Sequence, residues 1–373
     1  MNFTISRNDF SKALTKVKGI PVKSATVPIL NHLLLTTEGE SIVITALDTD
    51  IWIRVEAKAQ VFDEGSIALP AEPFFRIIGK LPDETVLVEL QENDRVRITC
   101  GNARFNLSGL SAEEYPKPPD DTEEETFTVP SKTLKRMIEK TVFAASKEEY
   151  RYNMSGVRTE IFGENGNKTI RMVATDGRRL AISDTESTNG VPVLDEGITI
   201  PLKGCFALLR MARESKDEIE LSIKGNSLTA SKDNEKITIR LIGEDFPDYK
   251  RVIGDGEGKI LSSNRKALKE SLERILIMAD GMSKLVLFNI TGDDCLEIRA
   301  SNNDLGDAEE HLSVQSDVEE MTVGFNAEYL LECLGAMESK EVKITLKDES
   351  SPALITGDND EGFKCVVMPI SIS

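Results

Sequence analysis

Side chains able to make or break bonds are scarce in this chain. Of 373 residues only two are histidines, His32 and His311, and five are cysteines: Cys100, Cys205, Cys295, Cys333 and Cys365. A serine or cysteine nucleophile needs a nearby base, and His32 lies in the apolar run 29–35, the usual setting of a structural histidine. No two cysteines have CxxC spacing, and no HExxH or Cys/His grouping offers zinc ligands. The odd number and wide scatter of the cysteines read as reduced thiols of a cytoplasmic protein. No GxxxxGK[ST] loop exists for nucleotide phosphates. Gly254-Asp-Gly-Glu-Gly-Lys259 is glycine-rich but leads into a strand pattern, so it reads as a linker. The acidic triplets Asp48-Thr-Asp50 and Asp358-Asn-Asp360 fit turns better than cation sites. The expectation is a protein with no catalytic centre, no metal and no cofactor.

Chemistry of another kind is written in the charges. Lys and Arg number 45, Asp and Glu 64, for a net charge of −19. Such a chain does not adhere to polyanions or anionic membranes through its overall charge. Six segments with helical periodicity, 7–18, 72–80, 131–147, 202–216, 264–280 and 327–340, carry 20 basic and only 10 acidic residues. The rest of the chain must then hold −29. Only the last of the six is acidic. Two readings stand: solvated helix faces, for which Lys and Arg are good formers, or helices gathered on a surface facing a polyanion.

The elements that would position these charges recur. A strand followed by an amphipathic helix begins at Phe3, Phe127 and Ile260. An apolar strand ending near a small acidic turn places Ala46, Ala174 and Ala300 at spacings of 128 and 126. A second strand–helix–strand unit begins at Leu69, Ile200 and Val323. A period near 125 is that of a whole domain rather than of a solenoid repeat. The boundaries fall in the acidic, proline-bearing stretch 116–125 and in the glycine-rich 254–259, giving domains 1–122, 123–254 and 255–373. Each reads as α+β, with two helices packed on mostly antiparallel sheets. In the helix beginning at Ser131, Leu134, Met137, Ile138 and Val142 form the core stripe, and Lys132, Lys135, Arg136 and Lys140 the solvated face. No apolar run approaches the ~20 residues of a membrane span, and the opening residues lack the layout of a secretion signal.

Four landmarks carry a family resemblance: Thr26-Val-Pro-Ile-Leu30, Ala174-Thr-Asp-Gly-Arg-Arg-Leu-Ala181, Asp245-Phe-Pro-Asp-Tyr-Lys-Arg-Val252 and Val366-Val-Met-Pro-Ile370. Together, and in this order, they resemble the bacterial sliding clamps, the beta subunits of DNA polymerase III. The resemblance spans the whole chain and agrees with its three copies. It implies the DNA clamp fold and a ring-forming homodimer of six domains, with twelve helices around a central hole. Helices packed roughly 8–10 Å apart give such a circle a diameter of about 35 Å between axes, enough for a duplex with a water layer. It further implies partners: encircled duplex DNA read without sequence preference, the DNA polymerase III core, the clamp loader and other proteins bearing a clamp-binding motif. The activity implied is a tether without catalysis.

The resemblance also implies a socket for partner peptides between the second and third domains. Its matching positions are Met154, Thr175, Gly177, Arg179, Leu180, Pro247, Val252, Val366, Met368, Pro369 and Ile370. Arg178 stands where other members carry His, and the tail runs on as Ser371-Ile-Ser373 where many end in a basic residue and Leu. For DNA, matching positions are Lys203, Arg251, Tyr152 and Asn153, with Lys23 beside a serine at position 24. The charge pattern adds Lys12, Lys132, Arg136 and Arg210.

Overall fold

The structure, a computed structural model, describes residues 1–21, 27–117, 126–164, 167–187, 191–214, 217–253, 257–279, 281–291 and 294–372. The expected DNA contact Lys23, the Thr26 end of the first landmark, and residues 122 and 254 at the expected boundaries lie outside the described residues.

Backbone contacts group the chain into two compact units, residues 1–131 with 210–241 and residues 132–209 with 242–373. The chain contains seven helices among the described residues: α1 (Arg7–Val17), α2 (Ala71–Lys80), α3 (Ser131–Glu139), α4 (Leu202–Glu214), α5 (Lys250–Ile253), α6 (Arg265–Ile275) and α7 (Ala327–Ala336). All except the single-turn α5 follow directly on a strand, as the repeats predict. Local chemistry explains the starts. Ser6 Oγ accepts from Asp9 N at α1, Asn264 Oδ1 from Ala267 N at α6, and Asn326 Oδ1 from Glu328 N and Tyr329 N at α7. Pro70, Pro130 and Pro201 stand just before α2, α3 and α4, where the residue is still extended and a missing N–H costs nothing.

All strand pairings among the described residues are antiparallel. The first unit holds a five-stranded sheet in the order Gln60–Asp63, Asn2–Ser6, Thr85–Leu90, Arg95–Cys100, Ala103–Ser108. Its core meets α1 and α2 through edge-on rings, with Phe10 centred 6.0 Å from Phe3 and 5.6 Å from Phe74. Its second sheet has eight strands and crosses a repeat boundary, because Glu235–Arg240 pairs with Ile51–Lys58, setting Ile237 opposite Ile53. Both isoleucines are fully buried. The second unit holds a nine-stranded sheet that crosses the other boundary: Arg179–Ser187 pairs with Phe363–Val367, and Ala181 faces Cys365. Its second sheet has four strands and runs Gly306–Ser313, Cys295–Asn302, Leu285–Ile290, Met321–Asn326.

Two expectations need correction. The helix predicted over 131–147 ends at Glu139, followed by a 3-10 turn, Val142–Ala144. Thr141 Oγ1 donates back to Met137 O at 2.8 Å, and the β-branched pair Thr141-Val142 disfavours a further turn. Lys140, expected on the solvated face, is buried: its Nζ lies 2.5 Å from Asp360 Oδ1. Asp360 thus does more than shape a turn. It also accepts from Glu338 N and Ser339 N.

Candidate functional site

The ATDGRRL segment forms a hairpin corner between the strands Asn167–Thr175 and Arg179–Ser187. Asp176 Oδ1 accepts from Arg178 N at 2.9 Å and Arg179 N at 3.0 Å, an Asx-turn. Thr175 Oγ1 accepts from Gly177 N and donates to Arg179 O. Gly177 has φ +83°, a left-handed conformation that calls for glycine, while a Cβ there would meet only the flexible end of Arg151, whose Nη1 is 3.2 Å away. Arg179 is buried and multiply held: its Nε meets Asp176 Oδ2 at 3.1 Å, its Nη2 donates to Phe143 O, its Nη1 pairs with Glu332, and the guanidinium lies 4.4 Å from the Tyr329 ring centre. Its role as a lining residue therefore comes with a structural one.

Against this corner the fold sets three further segments. Val366 lies opposite Leu180 in the adjoining strand, and Met368 N donates to Arg178 O at 2.9 Å. Tyr249 packs with Val173, Leu180, Ile182 and Val366 in one buried cluster, flanked by Phe246, Ile253 and Leu354. Met154 closes the 3-10 segment Glu149–Met154, whose end is tied down by Ser146 N donating to Met154 O. Together they enclose a cavity of about 180 Å³ lined by Met154, Thr175, Gly177, Arg179, Leu180, Pro247, Asp248, Tyr249, Val252, Val366 and Met368. Nine of the eleven expected positions are gathered here. Pro369 and Ile370 do not line it: Ile370 N donates to Gly324 O at 2.8 Å, which turns the tail onto another strand. Asp248 and Tyr249 were not anticipated. The apolar pair Phe246 and Tyr249 within the Asp245–Val252 landmark was the available signal.

Tyr249 is anchored from below. Its hydroxyl donates to Glu160 Oε2 at 2.6 Å, close to Arg171, whose Nε and Nη2 each reach Asp184 at 2.7 Å. Burial and then the Glu160 carboxylate push the phenol up to about 12. Because the folded value is raised above the ordinary ~10, the hydrogen bond's contribution is complete below pH ~10 and is lost as the pH rises toward 12. Tyr249→Phe should cost about 1.5 kcal/mol at neutral pH. In urea melts the gap between wild type and variant should narrow above pH 10; a gap independent of pH would contradict the assignment.

A second, polar cavity of about 170 Å³ shares Arg179 and is lined by Ser146, Lys147, Glu148, Arg151, Asp176, Arg178 and Tyr329 among others. Arg178 has its basicity raised by its hydrogen bond with the Tyr329 hydroxyl.

The expected DNA contacts fall into two groups. Lys12, Lys132, Lys203, Tyr152 and Arg251 are exposed, with Lys12 Nζ 3.6 Å from Asp9 and Arg251 Nε 2.9 Å from Asp248. Asn153 and Arg136 are half-buried; Asn153 Nδ2 donates to Asp245 O and Arg136 Nη2 to Thr185 Oγ1. Arg210 is held by the buried Glu235, which Lys16 also approaches at 3.5 Å, so its charge is largely answered within the protein.

A three-part antiparallel α+β chain with an apolar pocket at a hairpin corner has clear relatives. Residues 1–119, 128–248 and 250–371 match the N-terminal, central and C-terminal domains of the DNA polymerase III beta subunit. The beta sliding clamps of Vibrio cholerae and Haemophilus influenzae are each 32% identical, over the full length of both proteins. The crystal structure of the Caulobacter crescentus beta sliding clamp superposes with a TM-score of 0.93 at 30% identity, covering 100% of this chain and 99% of that one. That of the Pseudomonas aeruginosa DNA polymerase III subunit beta gives 0.92 at 29% identity over the whole of both chains. The chain belongs to the DNA polymerase III beta subunit family, the beta sliding clamps.

Proposed function

We propose that two copies of this chain close head to tail into a ring around duplex DNA, each copy contributing functional domains 1–122, 123–254 and 255–373. We further propose that its pocket tethers the DNA polymerase III core, the clamp loader and other clamp-binding proteins. The observation that carries the tether is convergence: four segments far apart in sequence meet at one solvent-open apolar pocket. Apolar anchors of a short peptide fit such a socket, and the pliable Met154 and Met368 adapt it to different ligands. Holding a polymerase beside the primer end raises its local concentration, so that many nucleotides are added per encounter. The role needs no bond made or broken by the clamp itself.

Two edges support ring closure. The five-stranded sheet ends at Ala103–Ser108, where Arg104 and Phe105 are exposed, and the four-stranded sheet ends at Gly306–Ser313, which carries Asp307, Glu309 and Glu310. Ile277, in the turn packed on that second edge, is 72% exposed. Opposite charge and an apolar residue on each side suit pairing of one copy's first edge with the other's second, which removes both open edges. Exposed Lys12, Lys132, Lys203 and Lys266 on α1, α3, α4 and α6 supply diffuse attraction to phosphates, which permits sliding because no contact is base-specific. No helix among the described residues is long and apolar enough to cross a membrane, and the five free thiols suit a cytoplasmic setting.

The expected native mass is about twice 41.2 kDa. Once loaded, the chain should stay on nicked circular DNA and be lost when the circle is cut. Equal retention on circular and linear DNA would reject encirclement.

A further inference from the structure

The four-stranded sheet of the second unit presents a group of mixed donors on one face. Glu297 faces His311 across the register, and Arg299 faces Glu309. Side chains alternate along a strand, and Glu310 pairs with Arg274 on α6, so Glu309 and His311 stand on the face away from that helix. His311 Nε2 lies 3.0 Å from Glu309 Oε1 and 3.8 Å from Glu297 Oε1, and one ligand atom from each of the three residues falls within 4.8 Å of the others. We propose that Glu297, Glu309 and His311 form a zinc site, separate from the partner pocket.

Four features point to zinc. Ligand atoms about 2.1 Å from a tetrahedral Zn²⁺ stand roughly 3.4 Å apart, between the two separations observed here. The ligands are braced from outside. Asn289 Nδ2 donates to Glu297 Oε2 at 2.7 Å, leaving Oε1 toward the imidazole. Cys295 Sγ lies 3.7 Å from His311 Nδ1 and is a partner for that nitrogen once a metal replaces the proton that Nε2 donates to Glu309 Oε1 in the metal-free chain. Ligating histidines are oriented in this way through their other nitrogen. A cation already bridges the carboxylates: Arg299 Nη2 is 2.7 Å from Glu297 Oε1 and 2.9 Å from Glu309 Oε2. Its side chain is half exposed and can swing away, so a dication replaces one positive charge with two. Two carboxylates and one imidazole favour zinc over Mg²⁺ or Ca²⁺, which prefer all-oxygen shells. The metal would fasten the edge strand Gly306–Ser313 to its neighbour through side chains, leaving the backbone edge available.

The test is titration of the full-length, EDTA-treated chain with zinc chloride against a chromophoric zinc indicator, in excess Mg²⁺. One Zn²⁺ per chain is expected. His311→Ala and Glu309→Gln should each weaken binding on the order of tenfold or more, the range seen even for outer-shell changes at metal sites. Arg299→Ala should tighten it by removing the competing cation. His32→Ala, which changes the chain's one other histidine, should leave it unaltered. Circular dichroism melts confirm that each variant is folded, and the exposed Glu309→Gln remains informative if His311→Ala is not. Wild type that fails to compete for zinc, affinity unchanged in Glu309→Gln, or binding weakened by Arg299→Ala would each overturn the site.

Discussion

Met368→Ala combined with Val252→Ala should bind a fluorescent peptide with adjacent Leu and Phe anchors about a hundredfold more weakly than the unaltered chain. Both side chains stand on the pocket wall, and both are more than a third exposed. Each therefore offers apolar surface to a guest without belonging to the buried core. Loss of roughly 50 Å² of apolar contact at each, at about 25 cal/mol per Å², removes about 2.5 kcal/mol, close to a factor of one hundred. The melting temperature and native mass should not move, because the backbone bond from Met368 N to Arg178 O survives truncation. Peptide affinity should change little with salt, and retention on closed circular DNA should persist in salt as well, because encirclement rather than ion pairing holds the ring there; only the electrostatic attraction of the helix lysines to DNA should fall steeply with it. An anisotropy titration showing less than a threefold loss would remove the tethering assignment while leaving the family membership intact.

Lys140→Ala should destabilise the chain by about 3–5 kcal/mol, the cost of leaving a buried charge without its partner. Asp360 is fully enclosed, and Lys140 reaches it from the turn after α3, across the second repeat boundary. Burial alone would raise the Asp360 pKa, but Lys140 Nζ and the Ser339 and Glu338 N–H groups outweigh it and hold the carboxyl below its ordinary range. The folded value lies below that of the unfolded chain. This contribution is therefore complete above about pH 4 and is lost as the pH falls through the folded value. The Phe363 ring centre, 5.3 Å from the ammonium, adds a cation–π contact that the variant also forfeits. Urea melts at pH 7 should show the loss, and Lys140→Met with Asp360→Asn together should cost much less than the two single changes summed. Additive costs would mean that the two residues do not act as a pair.

The chain's periodicities carried most of the architecture. Three recurrences of strand and helix were visible because apolar spacing is a local property, and each recurrence became a strand–helix unit, although the helix expected over 131–147 stops at Glu139. The hairpin corner at Asp176-Gly177 was equally legible, since an Asx-turn and a positive φ are demanded by the residues themselves. Lys140 shows the limit. Its position on the polar stripe of the helix expected over 131–147 implied solvent, and only the approach of Asp360 from 220 residues away made burial tolerable. Ile370 shows another: its registration with Gly324 O, which carries it off the pocket, is a pairing between distant strands that no local pattern encodes.

By itself the sequence determined the repeat, the sorting of positive charge onto helices, and the types of residue available for a socket. Propensity, amphipathic period and turn chemistry act over a few residues and are therefore readable in order along the chain. Only the tertiary structure decided which of those residues meet. Strand register set Val366 beside Leu180, gave Tyr249 a carboxylate to hold, and placed His311 across from Glu297, although no metal-ligand spacing exists in the sequence. Register is chosen by the burial of whole sheet faces, a sum over both repeat partners, and a chain read one segment at a time does not contain that sum.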